Sequence, residues 1–209
     1  MSKISIIGLG DIAVDNPGNV YIIGGYSAGK RQKLDPAAVQ QWVFSGLVEE
    51  WRLAFNYSKT VLAIGGYFLN PLGNNLGQLD VNTGAISNQI VYNLETRAIA
   101  TDCNGDIYSL HVTFGGGPGN VVTNLLNKTN ANFTHAGSMS SGFVLAECEN
   151  GSGYAPNPTY STCIFHVINA IIVFGPYVYI YDGSTLRRIN KTALTIINSV
   201  TVPGGSYMQ

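Results

Sequence analysis

The sequence predicts an all-β fold, a small β-propeller of about five four-stranded blades with one of them irregular. Three observations lead there. The composition is poor in charge and rich in glycine and tyrosine. A strand–turn–strand unit recurs along the chain. The copies of that unit are spaced like propeller blades.

Of the 209 residues only 11% are Asp, Glu, Lys or Arg, against ~25% in an ordinary soluble domain. With 25 Gly and 12 Tyr this suits strands and tight turns. It does not suit helices, whose outer faces are rich in Glu and Lys. The formal net charge of −1 gives no electrostatic footprint for nucleic acid or an anionic membrane. No apolar run reaches the ~18 residues of a membrane span. The opening Met1–Gly8 is too short and too interrupted for a signal peptide, so none is expected.

The repeat begins with Asp11–Val14, then Asp15-Asn16-Pro17-Gly18-Asn19, then Val20–Gly24. Arg97–Thr101, Asp102-Cys103-Asn104-Gly105-Asp106 and Ile107–Leu110 follow the same grammar, as does the more divergent Asn169–Asp182. Each is an apolar strand, a polar turn whose Gly or Asn tolerates positive φ, and a second strand. Leu53–Gly66 is a fourth copy with a turn poorer in glycine. From Ala13 to Ala54 is 41 residues and from Ala54 to Ala100 is 46, near the ~40–50 residue period of a blade.

The second half of each unit repeats too. Gln78–Ile86, Arg188–Ile196, Asn124–Phe133 and Lys33–Val39 each read as strand, Asx-type turn, strand, which makes four strands per unit. Pro36–Trp42 is read as part of a fourth strand after a turn, not as a helix. The domain is therefore single, 1–209, with blades near 10–48, 50–94 and 96–138 and an irregular one over 140–204. Gly142–Ala146 reads as an inner strand inside the irregular unit, and Glu149–Pro158 as a loop, the kind of insertion that carries function on a regular scaffold. Residues 1–8 and 205–209 are expected to pair in one closing blade, which removes open edges.

The turn strings Asp15–Tyr21 and Asp102–Tyr108 resemble the D-x-x-G-N/D-x-Y signature of NHL, YVTN and related β-propeller repeats. The resemblance touches most of the chain outside 140–165. It implies the fold and transfers no catalytic residue, because the shared motif is structural.

The Asp15 and Asp102 turns look like fragments of a calcium loop but lack the 12-residue frame with its terminal Glu, so turn chemistry is expected and no metal or other cofactor. His111, His135 and His166 fall at different phases of their units and are expected as isolated surface or half-buried side chains. Cys103, Cys148 and Cys163 form no CxxC pair and are expected as buried or half-buried free thiols, with a Cys148–Cys163 disulfide as the alternative. No Gly-x-Ser-x-Gly elbow, His-Glu-x-x-His or Walker loop is present, and Gly115–Asn120 reads as a hairpin tip.

Aromatics near strand ends are the better asset. Trp42, Trp51, Tyr67, Tyr154 and Tyr160 are the candidate ligand-binding residues, because rigid aromatics among Asn, Ser and Gly make adaptable contacts at low entropic cost. The competing role for Trp42 and Trp51 is packing between blades. The expected function is a non-enzymatic binding or structural module for a protein or glycan partner. A bacteriophage tail or head appendage, with other virion proteins as partners, fits by analogy. The rival is a lyase- or hydrolase-type enzyme in the propeller channel, for which Arg52 and Arg97 come closest; two arginines without a base are no mechanism.

Overall fold

The computed structural model describes residues 9–24, 30–45, 48–68, 76–92, 95–112, 124–141, 170–181 and 185–202. They form sixteen strands and contain no helix. The first sheet is β1 (Leu9–Val14), β2 (Val20–Gly24), β3 (Lys30–Leu34) and β4 (Gln40–Ser45). The second is β5 (Val48–Phe55), β6 (Leu62–Phe68), β7 (Leu76–Leu79) and β8 (Ile86–Ile90). The third is β9 (Glu95–Thr101), β10 (Ile107–Val112), β11 (Asn124–Thr129) and β12 (His135–Ser141). The fourth is β13 (Ala170–Phe174), β14 (Tyr177–Tyr181), β15 (Thr185–Asn190) and β16 (Thr195–Thr201).

Each sheet is an antiparallel meander in sequence order, one propeller blade. The first strands pack in succession, β1 on β5, β5 on β9 and β9 on β13, so they line the inside of the arc. Pro36–Trp42 is a turn followed by β4, as its sequence implies. The closing blade expected from 1–8 and 205–209, and the strand expected at Gly142–Ala146, lie outside the described residues.

The turns explain why these segments become hairpins. One device recurs: an Asp or Asn opens the turn and its Oδ1 accepts backbone N–H groups two to five residues on. Asp15 accepts from Asn19 at 2.7 Å, and Asp35 from Ala37 and Val39 at 2.9 and 2.8 Å. Asn56 takes Thr60 and Val61, Asp80 takes Asn82 and Thr83, Asp102 takes Asn104 and Asp106, and Asn190 takes Thr192 and Ala193. In four of these turns the third residue after the opening Asx is left-handed, Gly18 (φ 91°), Ala38 (61°), Lys59 (55°) and Gly105 (86°), and the turn opened by Asn130 does the same with Phe133 (61°).

Blade-to-blade packing is the core. Tyr21 and Ile23 meet Leu53, Leu62, Ile64 and Leu79 between the first and second blades. Ala63 and Leu76 meet Ile107 and Phe133 at the next junction. Tyr108, Leu110 and Leu126 meet Ile171, Val178, Ile180 and Ile189 at the third. Strand alternation makes this possible, since each blade turns one apolar row to its predecessor and another to its successor. Fully buried side chains of this size contribute about 1.5–3 kcal/mol each.

Candidate functional site

The meander puts two kinds of connection at opposite ends of the strands. At one rim lie the short Asx turns just described. At the other, β2 leads to β3 through 25–29, β6 to β7 through 69–75, β10 to β11 through 113–123, and β14 to β15 through 182–184. The links between blades, 46–47, 91–94 and 142–169, join strand ends at that same rim. The first is called the turn rim below and the second the link rim.

The sequence candidates divide between the rims. Trp51 lies on β5 and Tyr67 on β6, both toward the link rim, where Glu49 pairs with Tyr67 in the backbone register. Tyr154 and Tyr160 lie outside the described residues, in the segment that leaves β12 and returns to β13 at the link rim. Trp42 sits toward the turn rim and packs between blades. Its Nε1 donates to the Val81 carbonyl at 3.2 Å, its ring lies 6.3 Å from that of Tyr21, and its six-membered ring lies flat against Gly84.

The inner strands of all four blades line one cavity of about 230 Å³, bounded by Asp11, Arg52, Ala98, Ile99 and Ile171. Its acid is engaged in the scaffold. Asp11 accepts the Ile12 N–H at 2.8 Å and the Leu53 N–H at 3.0 Å, fastening β1 to β5. Arg52 reaches the Gly10 carbonyl at 3.4 Å. A carboxylate that holds two backbone amides is a fastener, not a poised base.

His111 departs from expectation. It is fully buried, not at the surface or half-buried. Its Nε2 shares a 2.7 Å hydrogen bond with Ser109 Oγ and its Nδ1 a 3.2 Å bond with Thr96 Oγ1, while the Tyr92 ring packs against it, tilted by 55° with centroids 4.5 Å apart. Two hydroxyls satisfy both ring nitrogens, which is what lets an imidazole sit in a core. Nothing in the linear spacing marks Thr96 as its partner; the pairing of β9 with β10 creates it. Serine, histidine and threonine in a row resemble a nucleophile and base, but with Ser109, His111 and Thr96 all at 0% exposure no substrate reaches them. His135 is exposed beside Tyr92, Cys103 is a free thiol but exposed in a turn and not buried or half-buried as expected, and His166, Cys148 and Cys163 lie outside the described residues. Among the described residues no three His, Cys, Asp or Glu side chains gather to hold a metal ion.

The turn carboxylates have structural partners as well. Asp15 receives Asn19 Nδ2 at 2.8 Å and the Tyr21 hydroxyl at 3.0 Å. Partial burial works against its ionisation, but these Asn19 and Tyr21 bonds outweigh it and hold the carboxyl below its ordinary range.

No protein-family model matches the chain, and no curated protein matches it. Solved structures do. The Neurospora crassa Pan2 WD40 domain aligns over 93% of this chain and 50% of its own, at 10% identity and a TM-score of 0.59. The Myceliophteria thermophila Cps50 (Swd1) β-propeller domain aligns over 97% of this chain and 57% of its own, at 12% identity and a TM-score of 0.59. The AfRom2 CNH domain aligns over 91% of this chain and 53% of its own, at 9% identity and a TM-score of 0.57. The chain thus spans about half the length of these structures, and at such identities the likeness is one of fold: a β-propeller scaffold.

Proposed function

We propose that the chain is a non-enzymatic scaffold that binds a protein partner through its link rim. One observation carries this reading: the rims are unequal. The turn rim is closed by short turns whose polar groups are spent on their own backbone, which leaves little to offer a ligand. The longest connections, 69–75, 113–123 and 142–169, start and end at the link rim, and Trp51 and Tyr67 lie on strands toward it. Loops held by a rigid scaffold are where binding residues concentrate, and Tyr and Trp are enriched in protein interfaces. The resemblance to WD40 and CNH propellers supports a scaffold role by analogy of fold.

The channel enzyme is the weaker reading, because Asp11 is occupied by two amides and His111 is sealed in the core. The test is site-specific photo-cross-linking in cells that make the chain. A photoreactive amino acid at position 67 on the link rim is compared with one at 57 on the turn rim, where Tyr57 is 82% exposed. Protein adducts from position 67 and none from 57 are expected. Adducts from 57 alone, or from neither position, overturn the proposal. Mass spectrometry of the adduct then names the partner, and a virion structural protein there sets the chain in a phage particle.

A further inference from the structure

Two of the three inner junctions of the arc follow a rule that its two ends leave incomplete. On the side facing the next blade, a tyrosine on the second strand stands in register with a cation on the third. Tyr21 pairs with Lys33 in the first blade and Tyr108 with Lys128 in the third. Both tyrosines are covered by the following blade, at 1% and 0% exposure. The fourth blade repeats the device with Tyr179 opposite Arg188, yet no described blade follows it. The same face carries Ile172 and Phe174, 60% and 75% exposed, with Leu186 and Val200 beside them in register. The guanidinium of Arg188 lies 4.9 Å over the Tyr177 ring, and its Nε is buried without a hydrogen-bond partner among the described residues.

The start of the arc lacks the complement. On the side facing the preceding blade, the first strands offer Leu53 in the second blade and Ile171 in the fourth, each 8% exposed. The equivalent residue of the first blade, by its register with the second strand, is Ile12, and it is 53% exposed, with Val14 at 44% beside it. Leu62 and Ile64 are fully buried, whereas their counterparts Val20 and Ile22 are only half-buried.

One end therefore offers an aromatic, cation-bearing face and the other an aliphatic face, the same pairing that the first and third blades make with their successors. The chain also matches about half of each β-propeller it superposes on. We propose that the occupant is a second copy of this chain. The fourth blade of each copy packs on the first blade of the other, head to tail, in a two-fold ring with two identical junctions. A ring of this kind buries both apolar faces and leaves neither end open.

Sedimentation velocity of the full chain at tens of micromolar tests it. Twice the 22.3 kDa chain mass is expected. Phe174→Asp and Ile12→Asp change exposed positions on opposite ends, so each variant should keep its circular dichroism spectrum and sediment as a monomer. Mixed one to one, they should dimerise again, because one of the two junctions then pairs unmodified faces. A monomeric wild-type chain overturns the proposal in favour of closure by the chain's own terminal stretches. A dimer that survives both substitutions, or an open series of larger assemblies, overturns it too.

Discussion

Lys191, in the turn between β15 and β16, reaches across a blade junction to Asp102, in the turn between β9 and β10, with Nζ 2.8 Å from Oδ2. The first blade solves the same problem internally. There the Tyr21 hydroxyl donates to Asp15, the residue equivalent to Asp102. In the third blade the equivalent Tyr108 hydroxyl is buried without a partner among the described residues, and Lys191 takes the carboxylate instead. A bond local to one blade has become a clamp between two.

Removing that clamp should weaken the third junction. Asp102 is nearly sealed, with its side chain 3% exposed, so losing the cation leaves a buried carboxylate oxygen unmatched. Lys191→Met is expected to cost about 1–3 kcal/mol in urea unfolding at neutral pH. Asp102→Asn in the same chain should cost less than the sum of the two single changes, since the variants share one interaction. Strict additivity would mean that the pair contributes nothing.

Gly84 sets the closeness of the first junction. Its φ of 74° already excludes most side chains, and a Cβ there would stand 2.8 Å from two ring carbons of Trp42. Gly84→Ala should therefore destabilise the protein by about 1–3 kcal/mol. Trp42→Phe in the same background should recover part of the loss, because the shorter ring frees the space although it forfeits the bond to Val81. A neutral Gly84→Ala would show that the blades slide apart freely.

The fold was legible because turn chemistry and strand alternation repeat. Asp15, Gly18, Asp102 and Gly105 carry their conformation in their identity, and the hairpins they mark lie where the sequence put them. The candidate site was less legible. Trp42 and Trp51 look alike in a linear string, yet Trp42 lies toward the turn rim against Gly84, forty-two residues away in the next blade. His111 needed Thr96 and Ser109 to be seen as a core residue, and strand pairing, not spacing, brings Thr96 to it. Non-glycine residues at left-handed positions, Ala38, Lys59 and Phe133, hide the turn that their neighbours advertise.

Those hidden positions give a third expectation. Ala38 holds the place that Gly18 and Gly105 hold in other turns, at φ 61° and exposed to solvent. A left-handed residue with a Cβ costs roughly 1–2 kcal/mol, and glycine gives back part of that through its freer unfolded chain. Ala38→Gly should raise stability by about 0.5–1 kcal/mol, while Gly105→Ala, at φ 86° and 3.1 Å from the Ala131 Cβ, should lower it by at least as much. Thermal melts of the two variants should move in opposite directions, and a shift of the same sign in both would refute the shared turn.

The alkaline limb of stability should be steep. Burial first, and then the bond to ionised Asp15, push the Tyr21 hydroxyl well above its ordinary range. Burial first, and then the charge of Asp102, do the same for Tyr108. The hydrogen bond from Lys191 to Asp102 raises the lysine as well. All three groups hold their protons more tightly folded than unfolded, so the unfolded chain releases them first as pH rises. Their contribution is complete below about pH 10, where the unfolded tyrosine and lysine side chains begin to titrate, and is lost as pH climbs toward the folded values. The melting temperature should be level from pH 7 to about 9 and then fall, with each buried tyrosine adding on the order of 1 kcal/mol per pH unit to the slope. Tyr21→Phe should lower stability at neutral pH, through the lost bond to Asp15, and flatten the alkaline fall. Absorbance at 295 nm reads the same event directly. Most tyrosines should ionise near pH 10, and a minor fraction only together with the loss of β-structure. Ionisation of every tyrosine in one step near pH 10, with the circular dichroism spectrum intact, would show that Tyr21 and Tyr108 are not sealed between blades.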